Sequence, residues 1–214
     1  YLQELSFAED NAGNLRNALK IALRRAEVEE AVRGRLYHGT LGRIVQSYRL
    51  TGNLVEAKKW LERLKDRNDS AVQYCAGNSS PSCKNMAAAT AIRYGSTALV
   101  LGAEGKFEEA IELRRNTQAL IDKALDKDIT TVLAKETYVD WANDSLQKSA
   151  SLKSQVGRLL EAEIDSRAGL SRTLKARGKF SSQAGRHILR LQKIIFEQGR
   201  FGDAESLARE ALKV

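Results

Sequence analysis

The chain has 214 residues, only one of them proline, and a formal net charge of +8. Its hydrophobic content of 43% is enough for a packed interior and argues against wholesale disorder. No run of about 18 apolar residues occurs, so the sequence predicts no transmembrane helix. The residues are mostly strong helix formers, without the alternating pattern of a strand, and this composition favours an all-α protein.

Predicted helices follow one another along the chain. In the segment 54–66, for example, Leu54, Ala57, Leu61 and Leu64 recur at the spacing of one helix face. The same kind of pattern predicts nine helices, in chain order 14–32, 36–50, 54–66, 86–102, 107–125, 130–155, 159–175, 184–198 and 201–214. A helix-compatible stretch precedes the first of them, so ten helices is the expected count.

One short phrase recurs five times: Gly, any residue, Leu or Phe, two further residues, then Ala. Its copies begin at Gly13, Gly52, Gly105, Gly157 and Gly199. A turn glycine, an apolar anchor and a small residue at fixed offsets describe a pair of helices that cannot bury its own apolar face. Such pairs stack on their neighbours, so we predict an α-solenoid that forms a single repeat domain over 1–214.

The recurring phrase resembles the turn and second helix of the tetratricopeptide repeat (TPR). The resemblance extends upstream, with Tyr48 four residues before Gly52 and with Ala98 and Ala150 seven residues before their glycines. Repeat lengths of 42 residues and above are similar to the kinesin light chain type, which also occurs in bacterial signalling proteins. The family's Trp and its repeat-ending Pro are missing. The resemblance implies a right-handed α-solenoid of about five antiparallel helical hairpins, a TPR-like superhelix without catalytic activity.

In TPR arrays the first helix of each pair lines a concave groove that commonly holds a peptide. The resemblance therefore implies a protein-interaction scaffold, or the regulatory or sensor arm of a larger bacterial signalling protein, that binds a peptide or a partner domain. The groove positions carried over onto this chain are Arg43, Gln46, Arg49, Gln147, Ser151, Arg186, Arg190 and Lys193. Arginine and lysine at these positions would suit an acidic or C-terminal peptide as the partner.

Basic residues are concentrated in the segment 166–200, which has nine Lys or Arg against one acid, Glu197. This concentration leaves a second function open, the binding of nucleic acid or another polyanion. Against it, the segment has only two aromatic residues, Phe180 and Phe196, and no recognised nucleic-acid-reading module. The uneven charge would also let copies of the chain associate head to tail, so self-association is a further expectation.

The segment 68–85 is predicted to be a loop, because it holds Pro81 and a cluster of Asn, Asp, Ser and Gly. The only two cysteines, Cys75 and Cys83, lie within it. A flexible loop of this length lets them form a disulfide, which would indicate a periplasmic or extracellular location. Two free thiols in a cytoplasmic protein are the alternative, so the location stays open.

No constellation of residues indicates an enzyme. The two histidines, His38 and His187, lack the spacing of a metal pair, and no nucleophile or phosphate-binding loop accompanies them. We therefore expect no metal, no cofactor and no catalytic residue. Because the chain starts at Tyr1 without an initiator Met and stops at Val214 within a helical pattern, we expect it to be a fragment of a longer protein.

Overall fold

The computed structural model describes residues 1–78, 83, 86–127 and 132–214. Within these ranges it contains ten helices and no strand. The helices are α1 (Leu2–Asn11), α2 (Leu15–Arg33), α3 (His38–Leu50), α4 (Leu54–Cys75), α5 (Met86–Ala103), α6 (Phe107–Lys127), α7 (Val132–Gln155), α8 (Leu159–Arg177), α9 (Ser182–Glu197) and α10 (Phe201–Ala211). None of these helices is long and apolar enough to cross a membrane.

The chain divides into two compact units. Unit 1 comprises residues 1–106 with α1 to α5, and unit 2 comprises residues 107–214 with α6 to α10. In unit 1, α1 packs on α2 and α3 on α4, and in unit 2, α7 packs on α8 and α9 on α10. The prediction of a single repeat domain over 1–214 stays a prediction.

The same turn follows α1, α3, α5, α7 and α9. Its glycine has a left-handed backbone, with φ between +77° and +80° at all five positions. The N–H of the next residue donates to the carbonyl five residues back, as Asn53 donates to Tyr48 at 2.9 Å. This hydrogen bond and the left-handed glycine together form the Schellman ending of a helix. The five glycine turns predicted from the recurring phrase are therefore present.

The alanine of each recurring phrase is buried. All five have at most 1% of their surface exposed: Ala18, Ala57, Ala110, Ala162 and Ala204. A methyl side chain lets the second helix approach the first closely, and the surrounding apolar side chains fill the remaining space. In unit 1 these neighbours include Leu41, Ile44, Val45, Leu61 and Leu64.

Neighbouring pairs are joined through their first helices. In unit 1, α3 packs directly against α5 at Gly42. A Cβ at this glycine would lie 2.8 Å from Ile92 Cγ2 and 3.1 Å from Ser96 Oγ. The second helix of one pair also packs on the first helix of the next, as α2 does on α3 and α8 on α9. Within each unit, neighbouring pairs are thus buried on one another.

The predicted loop 68–85 is wrong in its first part, because α4 continues to Cys75. Asn68, which was taken as the start of the loop, has only 1% of its surface exposed. Its Oδ1 accepts a hydrogen bond of 3.4 Å from Thr90 Oγ1 on α5. Packing on α5 therefore outweighs the loop-forming composition. Positions 79–82 and 84–85 of the predicted loop lie outside the described residues.

The turn conformation is tested by two glycines of one hairpin. We expect Gly52→Ala to lower the free energy of unfolding by about 1–2 kcal/mol, because an L-residue is strained in the left-handed region. Gly39→Ala is the matched control, since Gly39 lies within α3 and a Cβ at either position meets no atom within 4 Å. The control should leave stability unchanged or slightly raise it. Urea unfolding measures both, and equal effects would contradict the turn.

Candidate functional site

The guanidinium of Arg43 is buried between α3 and α1. Its Nε donates to Ser6 Oγ at 3.1 Å, and its Nη2 donates to the Ser6 carbonyl at 2.7 Å. Its Nη1 donates to Asp10 Oδ2 at 2.8 Å, and the Phe7 ring lies 4.5 Å from its central carbon. Only 7% of the residue is exposed. The structure therefore places Arg43, a residue assigned to the groove, in the contact between two neighbouring first helices.

Two other groove positions of α3, Gln46 and Arg49, are half-buried. Arg49 Nε is shielded from solvent and has no hydrogen-bond partner among the described residues. Burial lowers the pKa of Arg49, while the Asp10 carboxylate acts in the opposite direction. An arginine stays charged in either case. Because Asp10 already pairs with Arg43, this part of unit 1 has an excess of positive charge.

A network of buried polar side chains joins α7, α8 and α9 in unit 2. Gln147, also assigned to the groove, is 3% exposed and belongs to this network. Its Nε2 donates to the Ser166 carbonyl at 3.2 Å and lies 3.2 Å from His187 Nδ1. Thr173 Oγ1 lies 3.5 Å from the same ring nitrogen and accepts a hydrogen bond of 3.0 Å from Asn143 Nδ2. Gln147 thus connects helices within unit 2.

The network requires a neutral imidazole at His187. The Ser166 carbonyl accepts only from the nitrogen of the Gln147 amide, which fixes the orientation of that amide. The same nitrogen therefore presents its second N–H to His187 Nδ1, which must be unprotonated to accept it. Burial, followed by the nearby Arg190, lowers the pKa of His187 to about 4.

The buried imidazole makes stability depend on pH in a defined direction. The unfolded chain binds a proton at His187 near pH 6.5, whereas the folded chain binds it only near pH 4. Stability should therefore fall as the pH drops from about 6.5 to 4, by up to about 3 kcal/mol from this residue.

Unfolding by urea at a series of pH values measures this dependence, with His187→Gln as the comparison. Glutamine keeps an acceptor for the Gln147 amide but does not titrate. The variant should lose most of the slope between pH 6.5 and 5. The remainder comes from His38, whose pKa is also lowered by burial, and from carboxylates such as Glu161, whose pKa is lowered by its hydrogen bonds from Arg158. An unchanged slope in the variant would show that His187 is not held neutral by the fold.

The exposed face of α9 carries the remaining groove cations, Arg186, Arg190 and Lys193. Lys193 Nζ lies 3.8 Å from Glu197 Oε1, while Arg186 and Arg190 form no ion pair with any described residue. Arg190 does act on Asp144 of α7. Burial would raise the pKa of Asp144, but Lys148, Arg114 and Arg190 together lower it. Ser151, the last groove position of α7, is exposed.

Most other cations of the basic segment 166–200 are paired with acids of unit 2. Arg172 reaches Asp122 at 3.0 Å, Arg177 reaches Asp140 at 2.7 Å, and Arg200 reaches Glu163 at 3.0 Å. Arg167 and Lys179 pair in the same way, with Glu163 and Glu210. Besides Arg186 and Arg190, only Lys175 has no ion pair with a described residue. The charge available to a ligand is therefore smaller than the sequence indicates.

The two cysteines are joined in the structure, with their Cα atoms 5.4 Å apart. Cys75 is the last residue of α4, so the bond fixes the end of this helix to Cys83. Whether the bond forms in the natural compartment stays a prediction, and so does the periplasmic or extracellular location.

Thiol counting on the purified chain tests the bond. Under denaturing, nonreducing conditions we expect no free thiol, and two free thiols should appear after reduction. Two free thiols in freshly purified, unreduced protein would contradict the bond and remove the argument for an oxidising compartment.

Sequence reasoning missed the polar contacts between neighbouring pairs. Gln147 lies ten residues before its turn glycine, as Gly42 does in α3, and both positions face the next pair. A polar residue at this position was the available signal for the network in unit 2. This signal was overlooked because the groove positions were assigned by family resemblance, without asking which helix of the next pair each side chain packs against.

Comparisons with known proteins give matches in structure alone. No protein-family model matches the chain, and no curated protein matches its sequence. The solved TPR-like repeats of a Podosopora anserina putative kinesin light chain align over 99% of this chain and 92% of their own, with 15% identity and a TM-score of 0.54. A variant of these repeats with a single substitution aligns over the same shares, with 16% identity and a TM-score of 0.56.

BtubC (BKLC) from P. vanneervenii is also similar in structure. It aligns over 99% of this chain and 77% of its own length, with 14% identity and a TM-score of 0.58. These matches cover nearly the whole chain and confirm the predicted all-α, TPR-like repeat fold of the kinesin light chain kind. At this level of identity they establish the fold, and they leave the ligand and the biological role to be argued from the residues.

Proposed function

We propose that the chain is a noncatalytic protein-interaction scaffold whose unit 2 binds an acidic peptide, or an acidic segment of a partner domain, along α9. The observation that carries this proposal is the pair Arg186 and Arg190, which are exposed and have no ion pair with a described residue. Two guanidinium groups one helical turn apart can each donate two parallel hydrogen bonds to a carboxylate. Ser151 and Lys193 extend the same surface.

The rest of the predicted groove contributes less in this proposal. Arg43 and Gln147 are left out, because their polar atoms are engaged between helices. Gln46 and the charged Arg49 form a separate, weaker candidate surface in unit 1. By analogy with the TPR family, a chain of this kind would serve as the regulatory or sensor arm of a larger bacterial signalling protein.

Nucleic-acid binding through the segment 166–200 is the second candidate. Its support is the composition of this segment, which has nine basic residues and one acidic residue. The ion pairs of Arg172, Arg177 and Arg200 reduce that support, because a phosphate would have to displace a carboxylate from each of them. Phosphate contacts would also need several free cations on one surface.

Binding of a fluorescein-labelled oligoglutamate peptide, followed by fluorescence anisotropy, separates the two functions. Arg190→Glu should weaken binding at least about tenfold, since a charge-assisted hydrogen bond is replaced by repulsion. Lys175→Glu is the matched control, because Lys175 is also exposed, lies in unit 2, has no ion pair with a described residue and changes the net charge equally. We expect the control to weaken binding by no more than about twofold, since a single exposed charge acts over a short screened distance.

A labelled DNA duplex is the second probe in the same experiment. Equal loss of peptide binding in both variants, or no peptide binding by the unaltered chain, would overturn the proposal. Tight duplex binding with a steep dependence on salt, weakened alike by both substitutions, would favour the nucleic-acid function instead. Circular dichroism confirms that both variants remain helical.

A further inference from the structure

One face of α9 is exposed although the same face of α3 and α7 is covered. Positions are compared by their distance from the turn glycine that follows each helix. Ten residues before that glycine stand Gly42 in α3, Gln147 in α7 and Leu189 in α9. Gly42 is buried against α5, and Gln147 against α8 and α9. Leu189, by contrast, is 51% exposed.

A second position on the same face of α9 repeats the difference. Three residues before the turn glycine stand Arg49 in α3, Ser154 in α7 and Phe196 in α9. Ser154 Oγ hydrogen-bonds to Glu197 of the next first helix, α9, whereas the half-buried Arg49 lies near Asp10 of the preceding one, α1. Phe196 is 54% exposed, and its ring contacts the ring of Phe201 on α10 in an edge-to-face arrangement. Leu189 and Phe196 thus form an apolar face that the described helices cover only in part.

The complementary face is exposed on α1. Nine residues before the turn glycine stand Glu4 in α1, Arg43 in α3 and Ser96 in α5. Arg43 and Ser96 are buried against the preceding first helix, by the contacts to Ser6 and to Gly42. The side chain of Glu4 is 75% exposed.

Ala8 continues this face of α1. It stands five residues before its turn glycine and is exposed, whereas Ser47 and Val100 at the same position in α3 and α5 are each 3% exposed. The contact between neighbouring first helices therefore has one half unoccupied on α1 and the other half unoccupied on α9.

We infer that α1 of a second copy of this chain docks on the Leu189–Phe196 face of α9, in the geometry that joins neighbouring first helices within each unit. Charge complementarity selects this occupant. Helix α1 has three acids, of which Asp10 is paired with Arg43, and no base, whereas α9 has three bases and one acid. Docking α9 on α9 of another copy would instead bring like charges together. The contact joins different faces of the two copies, so it can repeat from copy to copy.

The Leu189–Phe196 face lies beside Arg186, Arg190 and Lys193, whose charge also carries the proposed function, but docking of a second copy does not require that an acidic peptide binds. The test of this inference uses two single substitutions of exposed residues, each of which places in one half of the contact a charge of the same sign as the helix opposite. Ala8→Arg blocks the α1 half, which faces the basic α9, and Leu189→Glu blocks the α9 half, which faces the acidic α1. The variant altered in α1 keeps its α9 face, and the variant altered in α9 keeps its α1 face. One molecule of each variant can therefore still form a single intact contact.

Sedimentation velocity over a range of concentrations up to about 100 µM gives the outcome. The unaltered chain should show a mass that rises with concentration above its monomer mass of 23.7 kDa. Each variant alone should dissociate at least about tenfold more readily. An equimolar mixture of the two should form a dimer and no larger species, because only one contact joins each mixed pair.

Three results would overturn the inference. A monomeric mass for the unaltered chain at all concentrations would show that neither face binds a second copy. Undiminished association of Ala8→Arg alone would indicate that α9 pairs with α9. A mixture that remains monomeric would show that the two substitutions do not block opposite halves of one contact. Circular dichroism and thermal melting establish that both variants are folded.

Discussion

A hairpin of two helices has more apolar surface than it can cover by itself, and this constraint governs the structure within both units. Within each unit, a glycine turn fixes how the two helices of a pair meet, and the small alanine that follows lets them approach closely. The faces left over must then be buried on the neighbouring pair. In unit 1 this burial brings Gly42 of α3 against Ile92 of α5, where even a methyl group would be crowded.

The contacts between neighbouring pairs are as much polar as apolar. In unit 1 the Arg43 guanidinium is held by Ser6 and Asp10, and in unit 2 the Gln147 amide is held by Ser166 and His187. Buried polar groups of this kind stabilise only the arrangement in which every donor finds its acceptor, because an unpaired buried group is costly. They therefore fix the register of one pair on the next more narrowly than apolar packing alone.

Much of this architecture could be predicted from the sequence. The helix pairs, their glycine turns and the buried alanines follow from short-range patterns, since a left-handed glycine and a helical apolar stripe are local properties. The helical end of α4 could not be predicted, because Asn68 is helical on account of its burial against Thr90 of α5. The groove residues were harder still to predict. Arg43 and Gln147 are polar side chains suited to binding a ligand, as Arg190 is, but they are buried against other helices of their unit whereas Arg190 is exposed.

Nuclear Overhauser spectroscopy tests most directly whether neighbouring pairs pack through their first helices as described. In the isotopically labelled chain, the account predicts strong cross-peaks between the Gly42 α-protons and the Ile92 γ2-methyl group, which are fifty residues apart. It also predicts a cross-peak between the Gln147 side-chain amide and the His187 ring. A chain whose chemical shifts report the ten helices but which shows neither cross-peak would contradict it.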